Sequence, residues 1–462
     1  MGEDGKLYAN PEAAVTYEAE LYDASNALVQ KGTLQELVAA ATTGQTIKII
    51  DDCEVTAPLN IAAKTITITD DGTAHTIYLA DPTATFHVRG TKTTAATTYA
   101  ELHLVGNAGI TVTNKEGVKL TTAAFLNWQY SRTFVSGKVT MLNIENGEAT
   151  AAKNETNKTS GSLGGVFFVN ASSSAYLTVD GITIDGCKTQ TNGAALYNMG
   201  YNTIFNNVTV KNCVTKNGYA VYNEENGTGD GRVLEANKGT YTGNTNGSGA
   251  KADFFNGGLF KAQGKFTVES GLLQKPITVV GAMTGSDISV KMASFANGVV
   301  VLQADSALSA QLAAATNCIT LLDNAGVQSP EITLGEDGVL KAASAGGITI
   351  PAGTEAVVLS GTDIVTYGTF AEMMAFVKTD AGDNYTVEVR NDVALTQCVD
   401  IINVGKNITI KDDGTKRTFT ITPDGSKAGF FLYAGSSTKT VLTIEGTTAG
   451  GLEFKSAAGA QF

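Results

Sequence analysis

The chain repeats itself on two scales, and that restricts it to folds that stack like on like. Segment 64–76, Lys-Thr-Ile-Thr-Ile-Thr-Asp-Asp-Gly-Thr-Ala-His-Thr, returns at 406–418 as Lys-Asn-Ile-Thr-Ile-Lys-Asp-Asp-Gly-Thr-Lys-Arg-Thr. Upstream of each copy lies a similar opening, Gly-Thr-Leu-Gln-Glu-Leu-Val from Gly32 and Gly-Thr-Phe-Ala-Glu-Met-Met from Gly368. Between them runs a degenerate unit of roughly 25–35 residues, the period of architectures whose units bury their apolar faces only against one another.

The opening predicts a short helix. Leu34, Leu37, Val38 and Ala41 have helical spacing, and Thr33 with Glu36 fits a capping box. A stack leaves the edge of its first strand exposed, and an amphipathic helix there is a natural cap. From Thr46 the period falls to two, in runs such as Thr-Ile-Thr-Ile from Thr65, broken by turns such as Asp71-Gly72. Short strands without crossover helices fit antiparallel β-structure or a parallel β-helix.

The short repeat favours the β-helix. One family of strands runs from Gly165 to Asn170, Gly193 to Asn198, Gly218 to Asn223 and Ala252 to Asn256. A second runs from Leu142 to Asn146, Ile182 to Gly186, Val208 to Asn212 and Gly239 to Gly243. Asn170, Asn198, Asn223 and Asn256 are therefore expected to stack in one turn column. Asn tolerates left-handed backbone there, and its amide hydrogen-bonds along the stack. The column one place past the second family reads Gly147, Cys187, Cys213, Asn244. Neighbouring units lie about 4.8 Å apart, so Cys187 and Cys213 are expected to be stacked, buried and reduced, though within Cα range of a disulfide.

The expected fold is all-β: residues 1–17 as tail or linker, 18–275 as a first β-helix with its cap helix, 276–354 as a β-rich closing module, and 355–462 as the start of a second β-helix. Within the closing module, 308–315 reads as a short helix and Asp337-Gly338 as a hairpin turn. Both ends read as cuts within a longer protein.

Charge narrows the partners. The net charge is −13 with only 17% charged residues, and no basic cluster is present to displace counterions from nucleic acid or adhere to anionic lipid. No apolar run reaches the 18 or so residues a spanning helix needs, so no membrane insertion is expected. Five cysteines, an odd count, do not read as a disulfide framework.

The units ending at Asn170 and Asn198 resemble the Gly-Gly-Ala-Ile and Phe-x-x-Asn repeats of polymorphic outer-membrane proteins and related bacterial surface β-helices. The opening, a helix followed by the strands from Thr46 to Gly72, resembles the first turns of pectate-lyase-like repeat proteins exported by gut and other Gram-positive bacteria. The resemblance covers roughly residues 32–260 and 368–462. It implies a right-handed parallel β-helix (a solenoid) and an adhesin-like role on an extracellular bacterial cell surface. This superfold also hosts polysaccharide lyases, hydrolases and phage tailspikes, so function has to be argued from a site.

Catalytic motifs are sparse. Pectin hydrolases of this fold resemble one another in Asn-Thr-Asp, Asp-Asp, Gly-His-Gly and Arg-Ile-Lys motifs, and only Asp-Asp occurs here, at Asp51-Asp52, Asp70-Asp71 and Asp412-Asp413. Turn chemistry beside Gly72 explains the second. Of the three histidines, His75 is replaced by Arg417 in the later copy. His87 and Arg89 share a face by period two, as a surface pair or a cleft base. No zinc spacing, phosphate loop or calcium loop is visible, and no cofactor is expected, although acidic turns leave calcium open.

The remaining candidate is Asn-Trp-Gln-Tyr-Ser-Arg-Thr-Phe from Asn127, which holds the only tryptophan. In a strand, Trp128, Tyr130 and Arg132 alternate onto one face as an aromatic and cationic platform for a sugar ring; the other reading is that Trp128 plugs the core. The expected function is a non-enzymatic adhesin or stalk offering weak multivalent contacts to a host or neighbouring-cell glycan or protein. The competing readings are a polysaccharide lyase or hydrolase, and a filament subunit that self-associates end to end.

Overall fold

The computed structural model describes residues 17–147, 163–216, 218–225, 232–292, 300–304, 306–322, 332–334, 340–342, 350, 353–360, 363–379, 384–396, 398–402, 405–422, 429–433, 440–447 and 449–456. The chain divides into two compact units: Met1–Val290 with Leu302–Thr320, and Lys291–Val301 with Leu321–Phe462. The stretch 276–354 contributes to both, and the tail lies, but for Tyr17, outside the described residues.

The first unit is β-structure in a large, mostly parallel sheet. Its opening is the exception. Strand Ala19–Tyr22 pairs antiparallel with Leu28–Gly32 on one side and Gln45–Ile49 on the other. Helix Leu34–Ala40 follows Thr33, whose hydroxyl accepts the Glu36 N–H while the Glu36 carboxylate accepts the Thr33 N–H. Leu34, Leu37 and Val38 are its buried face.

From Gln45 onward most strands are parallel and return to the same three ladders, beside a fourth, short one of Glu145–Asn146, Lys188–Thr189, Val214–Thr215 and Thr245–Asn246. Buried residues align in register along each. In the first, Ile47, Ile68, Leu104, Val135, Val179, Phe205, Ala236, Ala262 and Val279 follow one another. In the second, the column is Cys53, Ile77, Val112, Met141, Ile184, Val210, Tyr241 and Val268. In the third it is Leu59, Phe86, Phe125, Phe167, Leu196, Val221 and Phe254. Phe86 and Phe125 stack with ring centroids 4.4 Å apart, and Phe125 meets Phe167 at 5.1 Å. The alternation of buried and outward side chains is the period-two pattern of the sequence.

Register corrects two expected columns at their first member. Val169, not Asn170, pairs with Asn198, and Asn127 occupies the same column one strand earlier. The column is thus Asn127, Val169, Asn198, Asn223, Asn256, and Asn170 sits one place beyond its strand. Equally, Leu142 pairs with Asp185, so Ile144 rather than Gly147 precedes Cys187, Cys213 and Asn244. The left-handed backbone also lies elsewhere. Asn198, Asn223 and Asn256 do not adopt it; Asn143, Gly186, Asn212 and Gly243 do, at φ 52°, 67°, 55° and 67°, where the chain leaves the second ladder.

The second unit begins as the first does. Strand Ala356–Ser360 pairs antiparallel with Asp363–Gly368 and with Asn384–Val389, and helix Phe370–Thr379 carries the same box from Thr369 and Glu372. Parallel pairs then follow: Asn384–Val389 with Asn407–Asp412, Val393–Leu395 with Lys416–Ile421, and Val399–Ile402 with Phe430–Tyr433.

The polar locks match as well. The Glu18 carboxylate accepts the Leu34 N–H at 3.0 Å, and the Glu355 carboxylate accepts the Phe370 N–H at 2.9 Å. The Lys64 ammonium donates to the carbonyls of Val38 and Ala41 at 2.5 and 3.0 Å, and Lys406 donates to Val377 at 2.8 Å. An acid thus meets the orphan donors at the helix start and a cation the orphan carbonyls at its end. At the end of the next strand, Thr65–Asp70, buried Asp70 accepts N–H groups from Gly72, Asn107, Ala108 and Gly109 at 3.1, 2.6, 3.1 and 3.3 Å. Buried Asp412 accepts those of Gly414 and Thr447 at 2.8 and 2.7 Å, together with the Thr447 hydroxyl.

Replacing Asp70 or Asp412 by Asn turns an NH2 group toward backbone donors. Each change is expected to cost about 1–3 kcal/mol in urea denaturation. Asp412 adds a pH dependence. Burial pulls its carboxyl up, but the Thr447 hydroxyl and the two N–H groups outweigh burial and hold it at about 2. Its folded value lies below the ordinary 3.8, so the stabilisation is complete above that value and is lost as pH falls toward 2. Between about pH 5 and pH 2.5 the urea midpoint of the unsubstituted chain should fall more steeply than that of Asp412→Asn; parallel slopes would refute the assignment.

Candidate functional site

One corner of the first unit is longer than its neighbours. Between strands Phe125–Asn127 and Ser131–Leu142 only Trp128, Gln129 and Tyr130 intervene, whereas residues 90–99 separate Phe86–Arg89 from Ala100–Asn114. The extra residues form a small antiparallel pair, Thr91–Lys92 with Thr97–Thr98. Gly90 makes this packing feasible: a Cβ there would lie 2.3 Å from both the Thr98 and Tyr130 carbonyl oxygens. The insert walls a cleft of about 570 Å³ lined by Asn60, Ile61, Ala62, His87, Arg89, Gly90, Thr91, Lys92, Gln129 and Tyr130.

The third ladder supplies the floor. Asn60 lies in register with His87, and Ala62 with Arg89. His87 Nδ1 sits 3.1 Å from Asn60 Oδ1. Burial, then the charge of Arg89, lowers the His87 pKa, so the ring is neutral near pH 7. With the amide oxygen facing it, Nδ1 carries the hydrogen and Nε2 keeps its lone pair. Nε2 is buried and has no hydrogen-bond partner. Arg89 and Lys92 are exposed at the rim and pair with no carboxylate among the described residues.

Beside the cleft lies an aromatic patch. The Arg132 guanidinium sits 4.3 Å above the Tyr99 ring and 5.7 Å from that of Tyr176. Tyr99 meets the rings of Tyr130 and Tyr176 edge-on, each at 6.2 Å. Glu101 approaches Arg132 at 3.6 Å and bonds His103 Nε2 at 2.8 Å, and His103 stacks on Phe134 at 4.6 Å. Arg132, Glu101 and Tyr176 are register neighbours on the outward face of the first ladder. Tyr99 and Tyr176 carry no mark in the sequence; only the register, once known, brings them to Arg132.

Trp128, Tyr130 and Arg132 do not alternate along one strand as expected. The strand stops at Asn127, Tyr130 turns the corner at φ 56°, and the next strand begins at Ser131. Tyr130 and Arg132 join the patch. Trp128 packs instead against Phe168, at 6.1 Å, and His87, at 6.3 Å, beside a buried cluster of Ala123, Leu126, Leu163, Phe168, Tyr197 and Met199. It is a half-buried wedge.

The other singled-out residues are structural. The Asn198 amide donates to Asn223 Oδ1 at 2.8 Å, and that of Asn223 to Asn256 Oδ1 at 2.9 Å. Cys187 and Cys213 are buried free thiols in one column, and burial, then Cys213, pushes the Cys187 thiol well above its ordinary range. The Asp-Asp pairs serve turns: Asp71 accepts from Thr73, with His75 at 2.9 Å, and Asp52 accepts the Thr76 N–H at 2.7 Å. Among the described residues no three His, Cys, Asp or Glu side chains gather as metal ligands, and no helix is long and apolar enough to cross a membrane.

Comparison with family models, with curated proteins and with solved structures finds no match to this chain.

Gly90→Ala tests the backbone packing that forms the cleft. The forced separation from two carbonyls is expected to cost about 1–3 kcal/mol, read from denaturation midpoints. Gly109→Ala, where a Cβ would meet the Ala74 Cβ at an ordinary 3.4 Å, should cost less.

Proposed function

We propose that this chain belongs to a non-enzymatic extracellular protein of a bacterial cell surface, an adhesin or stalk wound as a right-handed parallel β-helix. The three parallel ladders support the winding, because each segment meets its own counterpart one turn on. The proposed mechanism is display. A rigid sheet holds side chains at fixed spacing and offers them to a glycan.

The observation that carries the reading is the Tyr99, Tyr130, Arg132 and Tyr176 patch. These side chains are partly exposed, lie on an outward sheet face and hold one another through ring and cation contacts. Rings fixed in this way offer sugar-stacking area at little entropic cost. A single exposed ring contact contributes on the order of 1 kcal/mol, so one patch binds in the millimolar range and function comes through several copies. The absence of a carboxylate from the cleft lining supports a binding role over hydrolysis, which uses a pair of them across the scissile bond.

Titration with neutral cello-, xylo- and mannohexaose, followed by NMR, is the test. Tyr99→Ala with Tyr176→Ala should weaken binding about tenfold while leaving the denaturation midpoint within about 1 kcal/mol. Trp128→Ala should do the reverse, lowering stability and sparing affinity. Binding untouched by the two tyrosine changes would remove the patch. Release of oligosaccharide from a polysaccharide panel, abolished by a single substitution in the cleft, would establish the lyase or hydrolase reading instead.

A further inference from the structure

We propose that the cleft beside Gly90 binds an anionic sugar, a residue carrying a carboxylate or sulfate ester next to free hydroxyls. This rests on the reading of the face as a glycan contact and names the ligand class of an adjoining site.

The charge distribution is the first ground. The chain carries −13, yet Arg89 and Lys92 line the cleft with no Asp or Glu beside them. Some other cations of the unit are met by carboxylates, such as Lys31 by Glu20 at 2.6 Å, Lys115 by Glu54 at 2.6 Å and Lys211 by Asp185 at 3.2 Å. In an acidic protein, two cations on one concave surface with no carboxylate partner among the described residues form a local field that favours an oxyanion.

The second ground is continuity with the patch. A neutral sugar leaves Arg89 and Lys92 to solvent, and an inorganic anion reaches no ring of the patch, whereas an acidic oligosaccharide meets both. Asn60 and Gln129 add amide groups, and the volume of about 570 Å³ is that of a small-ligand site. Tyr130 lines the cleft and also meets Tyr99, so an oligosaccharide seated by its acidic residue runs onto the patch.

The test uses the whole chain and three hexasaccharide series, uronate, O-sulfated galactan and neutral galactan, titrated at about 20 and 200 mM salt. At low salt at least one anionic series should bind about tenfold tighter than the neutral one, and the advantage should shrink at high salt. Whichever series shows it identifies the carboxylate or the sulfate. Arg89→Ala with Lys92→Ala should erase the advantage, leave the neutral affinity in place and, because both side chains are exposed, leave the denaturation midpoint unchanged. Equal affinity for neutral and anionic series, or an anionic preference that survives the Arg89 and Lys92 changes, overturns this proposal while the patch reading stands. No binding of any series overturns both.

Discussion

Register is the constraint on which the rest of this molecule depends. A parallel strand whose counterpart lies directly above it places every side chain in a column, and a slip of one residue turns the whole buried face outward. The nine-membered column from Ile47 to Val279 holds without a polar residue because it cannot do otherwise. Volume is balanced between columns: Phe205 faces Phe167 across the interior, and where the first ladder narrows to Ala236 and Ala262, Tyr241, Phe254, Phe260 and Phe266 crowd together. Strands so constrained admit extra residues only where the register shifts, as between Gly106 and Ile110, or at corners, and residues 90–99 are such an excursion.

The candidate site is a by-product of that rule. Its floor is ladder, held as rigidly as the core behind it, and its wall is an insert pinned by Gly90 against two carbonyls. Asn60 and His87 meet because register makes them neighbours, although they are far apart in sequence. The scaffold positions the chemistry without spending any of the core on it.

Local signals were legible in the sequence, and long-range ones only where repetition exposed them. The helix at Leu34 and its capping box follow from spacing alone, because a helix reads its neighbours three and four residues away. The third ladder was legible from Gly193 onward, where each strand closes on an Asn, and Asn198, Asn223 and Asn256 pair in register. It slipped at Asn170, because Gly164 and Gly165 are adjacent and either satisfies the motif; the pairing of the Gly165 N–H with the Gly193 carbonyl places Gly164 opposite Gly193. The platform was read as one strand because Trp128, Tyr130 and Arg132 alternate. Alternation cannot register a corner, and Tyr130 at positive φ ends the period. Tyr99 and Tyr176 stayed invisible because their meeting depends on two separate register relations.

The matched openings carry a consequence for synthesis. A chain leaves the ribosome from its N-terminus, and a growing parallel sheet always presents a bare leading strand to whatever else is nearby. Here the hairpin, the boxed helix and the lysine that ties its last carbonyls are all encoded ahead of the bulk of the array they cover. The leading edge is then a short antiparallel strand, Leu28–Gly32, rather than a parallel one, and the next segment of the same polypeptide is the nearest strand to fill the trailing edge. Repeating that start at Glu355, Thr369 and Lys406 gives the later array its own protected beginning. A nascent chain of this kind need not remember where the earlier array ended.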